Sequence, residues 1–192
     1  GAVYLAANGS SSGVELWRTD GTGAGTSLVK DIYPGGANSN VSRMQVVNGL
    51  LFFWANDGVH GWEPWRSDGT EAGTALIKDI APGSSTDDPG EIHALDEVAY
   101  FAAADADHGH ELWRSDGTEA GTWMVKDINP GTEPSGINHL HVVGDRLMFL
   151  ARTADHGDEL WVSDGTEAGT QLVSDFSPGA ASTGVFESLA AN

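Results

Sequence analysis

The sequence contains no cysteine, few cationic residues and no long apolar run. Without cysteine among its 192 residues the chain has no disulfide, no thiolate metal site and no cysteine nucleophile. Lys and Arg number 9 against 28 Asp and Glu, which gives a net charge of −19. This excess of negative charge repels phosphate backbones and anionic lipid. No apolar run reaches the ~18 residues of a membrane span. We therefore expect neither a nucleic-acid partner nor membrane insertion.

The sequence does contain a repeat. Four segments align without a gap, and the third reads ELWRSDGTEAGTWMVKDINPG. Equivalent residues lie 48 positions apart. The periodic tryptophans are Trp17, Trp65, Trp113 and Trp161, and the periodic aspartates are Asp20, Asp68, Asp116 and Asp164. A repeat of this length is the strongest guide to the fold.

Each copy of the repeat contains four short β-type segments. In the second copy they cover 41–47, 50–55, 63–67 and 74–80, each bounded by Gly, Asn, Asp or Pro. No stretch has a sustained helical period. Four strands in each of four copies of 48 residues predict an all-β fold, a β-propeller of four four-stranded blades.

The phase of the repeat predicts how such a propeller would close. The chain starts at the second strand of a blade and ends with a first strand, around 185–189. Pairing of that strand with residues 2–7 would remove the exposed sheet edges. We expect a single domain, 1–192, whose repeat units are 1–40 plus 185–192, 41–88, 89–136 and 137–184. The alternatives are two chains that form an eight-bladed ring, or a piece of a longer protein.

The repeated string resembles the ELWxxDGT repeat family, and the resemblance covers the whole chain. The second copy departs from the motif, with Pro64 where the other copies have Leu. The resemblance implies a large bacterial protein that is secreted or displayed at the cell surface. It implies no defined biochemical activity.

Residues present in every copy are first interpreted as structural. We expect the periodic tryptophans to fill the space between adjacent blades. The turn Asp-Gly-Thr-x-x-Gly-Thr should join the third and fourth strands, with its Asp accepting backbone N–H bonds and its glycines at positive φ. It is similar to the Asp-box hairpin of sialidase-type propellers, where the Asp is structural. The alternative is a calcium loop, although one Asp and two Thr fall short of the six or more oxygens that calcium requires. We therefore expect no cofactor, with a divalent cation such as calcium as the alternative.

This turn also predicts a strand register. It places Trp17 opposite Leu28 and Glu15 opposite Lys30. A cross-strand ion pair would then explain why Glu and Lys recur together in three of the four copies.

Three histidines share one position of the repeat: His60, His108 and His156. The first copy has Ser12 there. Three imidazoles in a ring are compatible with a zinc or iron site. The alternative is a structural role, in which each His bonds to backbone or to an aspartate of its own blade.

Positions that break the repeat are the candidates for ligand binding. Trp62 and His110 occupy one variable position, and Asp87, Asp88 and Glu91 make one inter-blade loop strongly acidic. Trp54 and Trp123 also break the pattern. Loops of both kinds would share one face of a propeller.

These features favour a lectin-like binding module that holds a glycan or a protein on the variable loop face. We expect it to be a monomer, or a dimer if the ring has eight blades. The sequence contains no Ser-His-Asp arrangement, phosphate loop or HExxH motif. The alternatives are a structural spacer within a larger surface protein, or a metal-dependent enzyme that uses the histidines.

Overall fold

A computed structural model describes residues 1–83 and 90–179. These residues form short β-strands, and no helix in this part of the chain is long and apolar enough to cross a membrane. The strands are β1 (Val3–Gly9), β2 (Gly13–Thr19), β3 (Ser27–Lys30), β4 (Ser42–Val47), β5 (Leu50–Asn56), β6 (Trp62–Ser67), β7 (Ala75–Leu76), β8 (His93–Leu95), β9 (Val98–Ala103), β10 (Glu111–Ser115), β11 (Trp123–Lys126), β12 (Asn138–Val143), β13 (Arg146–Ala151), β14 (Glu159–Ser163) and β15 (Gln171–Ser174).

The strands build four antiparallel sheets, each with its strands in chain order. The first sheet is β1-β2-β3, the second β4 to β7, the third β8 to β11 and the fourth β12 to β15. The all-β prediction is therefore confirmed. The first sheet has three described strands where each of the others has four. Segment 185–189, predicted as its fourth strand, lies outside the described residues.

The chain divides into two compact units, Gly1–Asp88 and Pro89–Asn192. The first unit contains the first and second sheets, and the second unit contains the third and fourth sheets. The division falls where the sequence predicts the boundary between the second and third repeat units.

The second sheet follows the predicted strands, with one difference. Asn48 and Gly49 form the tight turn between β4 and β5, with φ of 47° and 78°, the pair of positive values that a type I′ turn requires. The fourth strand, predicted as 74–80, is reduced to Ala75–Leu76. Pro64 explains this, because the equivalent Leu16 pairs with Lys30, and a proline has no N–H to donate at that rung.

The core of the first unit lies between its two sheets. Leu16 and Val29 of the first sheet belong to one buried cluster with Phe53 and Trp65 of the second. In the second unit Trp161 likewise packs in a cluster with Leu112 of the preceding sheet. The predicted role of the periodic tryptophans is confirmed for Trp65 and Trp161. Burying a large apolar side chain in this way stabilises the fold by roughly 1.5–3 kcal/mol.

Candidate functional site

The repeated Asp-Gly-Thr turn is held together by its own side chains. Asp68 Oδ1 accepts the backbone N–H of Thr70 at 2.8 Å and its hydroxyl at 2.7 Å. Thr70 Oγ1 in turn accepts the N–H of Gly73 at 3.0 Å. The aspartate bonds recur with Asp20, Asp116 and Asp164. The predicted turn bonds are therefore confirmed.

The two glycines of this turn are required for different reasons. Gly69 has a φ of 89°, a conformation that glycine adopts without strain. Gly73 does not have the positive φ predicted for both glycines. It is required for space instead, because a Cβ there would collide with the carboxylate of Asp68. The hydroxyl and backbone N–H of Thr70 lower the pKa of Asp68. The carboxylate therefore serves as an internal turn acceptor, which does not favour the calcium-loop alternative.

A buried glutamate in each sheet holds the chain segment that follows the last strand. Glu63 is 1% exposed and accepts the backbone N–H of Ile80 at 2.8 Å and of Ala81 at 2.9 Å. Glu15 accepts the N–H of Ile32 at 2.8 Å and of Ser39 at 3.0 Å. Glu111 binds the N–H groups of Ile128 and Ser135, and Glu159 those of Phe176 and Ser177. Each carboxylate thus anchors the segment that follows the last strand of its sheet.

The predicted cross-strand pairing of glutamate with lysine is wrong in the first and third sheets. Trp17 does lie opposite Leu28, as predicted, but the next rung joins Leu16 to Lys30 because the register shifts at a β-bulge. A bulge adds one residue to one strand and changes which residues face each other. Glu15 is therefore not the partner of Lys30, and its carboxylate binds backbone amides instead.

Burial changes the acidity of these glutamates. It raises the pKa of Glu63 and of Glu111 to about 7, and it raises the pKa of Glu15 as well. The backbone N–H bonds oppose this change, since they favour the ionised form. The negative charges of Asp79 and Asp127 add to the increase for Glu63 and Glu111, respectively. Perturbed carboxyls can mark catalytic sites, but structural networks perturb the pKa in the same way.

Each of the three repeated histidines is bonded within its own loop. His60 Nδ1 lies 2.7 Å from Asp57 Oδ2, and His108 Nδ1 lies 2.8 Å from Asp105 Oδ1. In the fourth sheet, His156 Nδ1 lies 3.1 Å from the hydroxyl of Thr153. The bond to Asp57 raises the pKa of His60, and the bond to Asp105 raises that of His108. These contacts support the structural alternative for all three histidines.

The far side of two of these imidazoles faces a second repeated acid. His108 Nε2 lies 3.9 Å from Asp127 Oδ2, and His156 Nε2 lies 3.8 Å from Asp175 Oδ2. In the part of the chain that the structure describes, no group of three or more His, Asp or Glu side chains is arranged to hold a metal ion. The described geometry therefore gives no support to a metal site at His60, His108 and His156, which stays a prediction.

The variable loops lie at the same end of the first and third sheets, as predicted. In the second unit the N–H of Gly109, in the β9–β10 loop, donates to the carbonyl of Gly131, in the segment after β11, at 3.2 Å. In the first unit Asn38 Oδ1, after β3, accepts the N–H of Val14 at 2.8 Å. These hydrogen bonds bring the segment after the last strand close to the connection between the second and third strands at one end of these sheets, which we call the loop end.

The candidate ligand-binding residues differ in burial and in their place on the strands. Trp62 is half-buried and is the first residue of β6, opposite Asn56, rather than part of an exposed loop. His110 is half-buried, and its carbonyl accepts the N–H of Ser135 at 3.1 Å. Glu91 is exposed. Asp87 and Asp88 lie outside the described residues. Trp62 belongs to the first unit and His110 and Glu91 to the second.

Trp123 breaks the repeat, like Trp62, but was not chosen as a predicted ligand contact, and its side chain is exposed. Its side chain is 45% exposed on β11, and the guanidinium carbon of Arg114 lies 4.6 Å from the ring centroid. Trp54, by contrast, is 3% exposed and belongs to the core. The sequence signal was present, since Trp123 replaces Ser, Ala and Gln of the other copies. Trp123 begins β11, directly after the turn, where the sequence analysis did not expect ligand contacts.

Comparisons with known proteins identify the fold but no family. No protein-family model matches the chain. No curated protein matches it. Solved structures do resemble it: a puromycin hydrolase has a TM-score of 0.58 and 16% identity over 92% of this chain. TolB from Acinetobacter baumannii has a TM-score of 0.51 and 10% identity over 86% of this chain. A structure from a study of two prolyl endopeptidases has a TM-score of 0.54 and 8% identity over 83% of it.

These similarities define the class of fold alone. The chain corresponds to 26% of the puromycin hydrolase, 39% of TolB and 22% of the prolyl endopeptidase. At such low identities the activities of those proteins do not transfer to this one. The four antiparallel sheets and these neighbours together establish a β-propeller-like, all-β fold.

Proposed function

We propose that this protein is a binding module, secreted or held at the cell surface, that recognises a glycan or a protein with its variable loop end. One observation carries the proposal: the repeated acids and histidines are engaged inside their own sheets, whereas Trp62 and His110, which differ between copies, lie at the loop end. Asp68 bonds within its turn, Glu63 with backbone amides and His60 with Asp57. Trp62 and His110 occupy the same position of the repeat, and they lie at the loop end of the second and the third sheet, respectively.

A glycan is the ligand class that we favour within this proposal. An indole presents a flat apolar face that a sugar ring can cover, and rigid aromatic side chains are efficient binding anchors. Trp62 is half-buried, which leaves part of its side chain accessible while the strand fixes its position. The net charge of −19 favours neutral over anionic glycans.

A glycan array probed with the full chain tests this function. We expect binding to a limited set of neutral glycans, reduced at least tenfold by Trp62→Ala and unchanged by Glu71→Gln, an exposed site away from the loops. Stoichiometric zinc or iron in the purified protein would favour the metal-dependent enzyme instead. An array without any signal, together with an absence of metal, would favour the structural spacer.

The finer architecture is also a proposal: four blades of 48 residues, with segment 185–189 as the fourth strand of the first sheet. Its support is that the first sheet has three described strands where the others have four. The test is hydrogen exchange of the amides of β1. Slow exchange in the full chain that becomes fast when residues 185–192 are removed is the expected result. Fast exchange in both chains would mean that β1 is an open edge.

A further inference from the structure

The loop between β5 and β6, in the first unit, is braced by its own side chains. Asn56 Oδ1 accepts the backbone N–H of Gly58 at 2.7 Å. Asp57 Oδ1 accepts the N–H groups of Val59 and His60, each at 2.9 Å. Bonds of this kind fix the shape of a turn locally. The side chain of Val59 is 74% exposed, so the loop holds an apolar side chain in solvent. We call Gly58 and Val59 the loop tip.

A tyrosine of the first sheet packs against the loop tip. The ring of Tyr33, which follows β3, lies so close to Gly58 that a Cβ at that glycine would collide with it. Gly58 also has a φ of 83°, a conformation that glycine adopts without strain. The first unit therefore has an aromatic ring against one residue of the loop tip and an exposed apolar side chain on the next.

Trp62, the candidate ligand contact, stands at the end of the same loop. It pairs with Asn56 across the β5–β6 ladder, and side chains directly opposite each other in an antiparallel pair have Cβ atoms about 5 Å apart. Asn56 in turn bonds to Gly58, the residue against which Tyr33 packs. Tyr33 and Trp62 are thus connected through two residues of one short loop.

The polar atoms of both aromatic side chains are accessible. Tyr33 and Trp62 are half-buried. Within the described part of the chain, no residue forms a hydrogen bond with the Tyr33 hydroxyl or with Trp62 Nε1, and neither atom is fully buried. The periodic tryptophans differ, since Nε1 of Trp113 is buried and Nε1 of Trp161 donates to the carbonyl of Ala151 at 3.1 Å. A phenol and an indole N–H therefore remain free to bond to a ligand.

Two positions of the repeat diverge together at the loop tip. At each of them the first unit has an aromatic or apolar side chain, and the other copies have small, polar or acidic ones. The counterparts of Tyr33 are Ala81, Asn129 and Ser177, and the counterparts of Val59 are Ser11, Asp107 and Asp155. Tyr33 and Val59 belong to different copies of the repeat, yet both lie at Gly58. Independent drift does not explain why both changes occur at one contact.

A neutral oligosaccharide matches this surface. A sugar ring has an apolar C–H face that can cover an aromatic ring, and its hydroxyls can bond to the polar end of a tyrosine or tryptophan. Residues 56–62 contain no lysine or arginine, and the carboxylate of Asp57 is used inside the loop. An uncharged ligand therefore fits better than an anionic one. Two aromatic side chains and a valine offer more surface than one sugar ring covers.

We propose that Tyr33, Val59 and Trp62 form one binding surface for a neutral oligosaccharide, and that it is the single glycan site of the chain. This proposal rests on the glycan binding proposed for Trp62, and it adds a second aromatic contact, the apolar loop tip and the number of sites. The second unit has no equivalent surface, because Asn129 and Asp155 occupy the positions of Tyr33 and Val59 there.

Titration calorimetry of the full chain with neutral oligosaccharides of glucose, mannose and galactose tests the proposal. For an oligosaccharide that binds, we expect one ligand per chain. Tyr33→Ala should weaken binding about tenfold or more, because an aromatic anchor is lost. Tyr33→Phe keeps the ring against Gly58 but loses the hydroxyl, and should weaken binding about fivefold. The matched control is Trp123→Ala, an exposed tryptophan of the second unit, which should leave the affinity unchanged.

The variants separate this proposal from the function on which it rests. If Trp62→Ala abolishes binding while both Tyr33 variants bind like the wild type, glycan binding stands, but Tyr33 is a packing residue and the proposal is wrong. Two ligands per chain, or a loss of binding in Trp123→Ala, would also overturn it. If Tyr33→Ala lowers the Tm, Tyr33→Phe decides, since its Tm should equal that of the wild type. If none of the oligosaccharides binds the wild type, the proposed glycan binding fails, and this proposal fails with it.

Discussion

The two ends of β6 differ although both carry a tryptophan. At the turn end, Trp65 is 6% exposed and belongs to the buried cluster between the first and second sheets. At the loop end, Trp62 is half-buried and begins the strand. Glu63 lies between them, buried and bonded to two backbone amides. One short strand therefore contains a packing residue, a polar anchor and a candidate ligand contact, which makes it a place to measure the three roles separately.

The largest effect is expected at the turn end. Trp65→Ala removes a large side chain from a cluster that joins two sheets and should lower the free energy of unfolding by about 3–5 kcal/mol. Urea denaturation followed by circular dichroism measures this change. Trp62→Ala is the matched control on the same strand. A loss for Trp65→Ala below 1 kcal/mol would mean that the sheets of the first unit do not depend on this contact.

The second largest loss of stability is expected for Glu63, the buried carboxylate of β6. Glu63→Gln keeps the shape of the side chain but turns an NH₂ group towards one of the two backbone N–H donors of Ile80 and Ala81. Leaving one buried donor unpaired should cost about 1–3 kcal/mol. The control is Glu71→Gln, because Glu71 is exposed. If the two variants unfold at the same urea concentration, Glu63 does not anchor this connection.

The buried glutamates also predict how stability depends on pH. Folding raises the pKa of Glu63 and of Glu111 from 4.5 to about 7, so the folded chain binds more protons than the unfolded chain between these values. Their contribution to stability is therefore present below pH 4.5 and is lost as the pH rises through about 7. His60 and His108, whose pKa values are also raised, act in the same direction.

We therefore expect the free energy of unfolding to decrease as the pH rises from about 5 to about 7.5. Below that range the lowered pKa values of Asp57 and Asp105 act in the opposite direction, since their stabilisation is lost as carboxylates become protonated. Urea titrations across the range measure this slope, and Glu63→Gln should make it shallower. A slope of the opposite sign would show that Glu63 and Glu111 are ionised in the folded protein throughout.

The smallest effect on stability is expected at the loop end. Trp62→Ala should cost about 1 kcal/mol, a typical value for a point substitution without a buried cavity. Its larger effect should be on ligand binding, measured by titration calorimetry against a glycan that binds the wild type. If Trp62→Ala destabilises the protein as much as Trp65→Ala does, Trp62 is a core residue. It is then not the aromatic ligand contact that we propose for the loop end.

The turns were predictable because their chemistry is local. Asp68, Thr70 and Gly73 bond to one another within six residues, so their spacing in the sequence already contains the geometry. The same holds for the Asn48–Gly49 hairpin and for the pairing of Trp17 with Leu28, which lies next to the turn. The unrecognised feature was the bulge beyond that pair, which shifts Lys30 from Glu15 to Leu16.

The roles of the glutamates and of the exposed faces were not predictable from the sequence. Glu63 binds amides 17 and 18 residues further along the chain, and a charged residue on an alternating strand gives no sign that it is buried. Likewise Gly21 and Gly69 stand in the same motif, yet one is exposed and the other is covered by a neighbouring sheet.

By itself, the sequence of this protein determined the number of repeats, the strands of each sheet and the bonds inside each turn, because all of these depend on contacts between residues close in the chain. Only the tertiary structure decided which carboxylates are buried, which tryptophans are accessible and which turns are covered by a neighbouring sheet of the same unit. Those properties depend on the neighbouring sheet, whose side chains supply the desolvation and the hydrogen bonds, and identical motifs acquire different environments according to what packs on them.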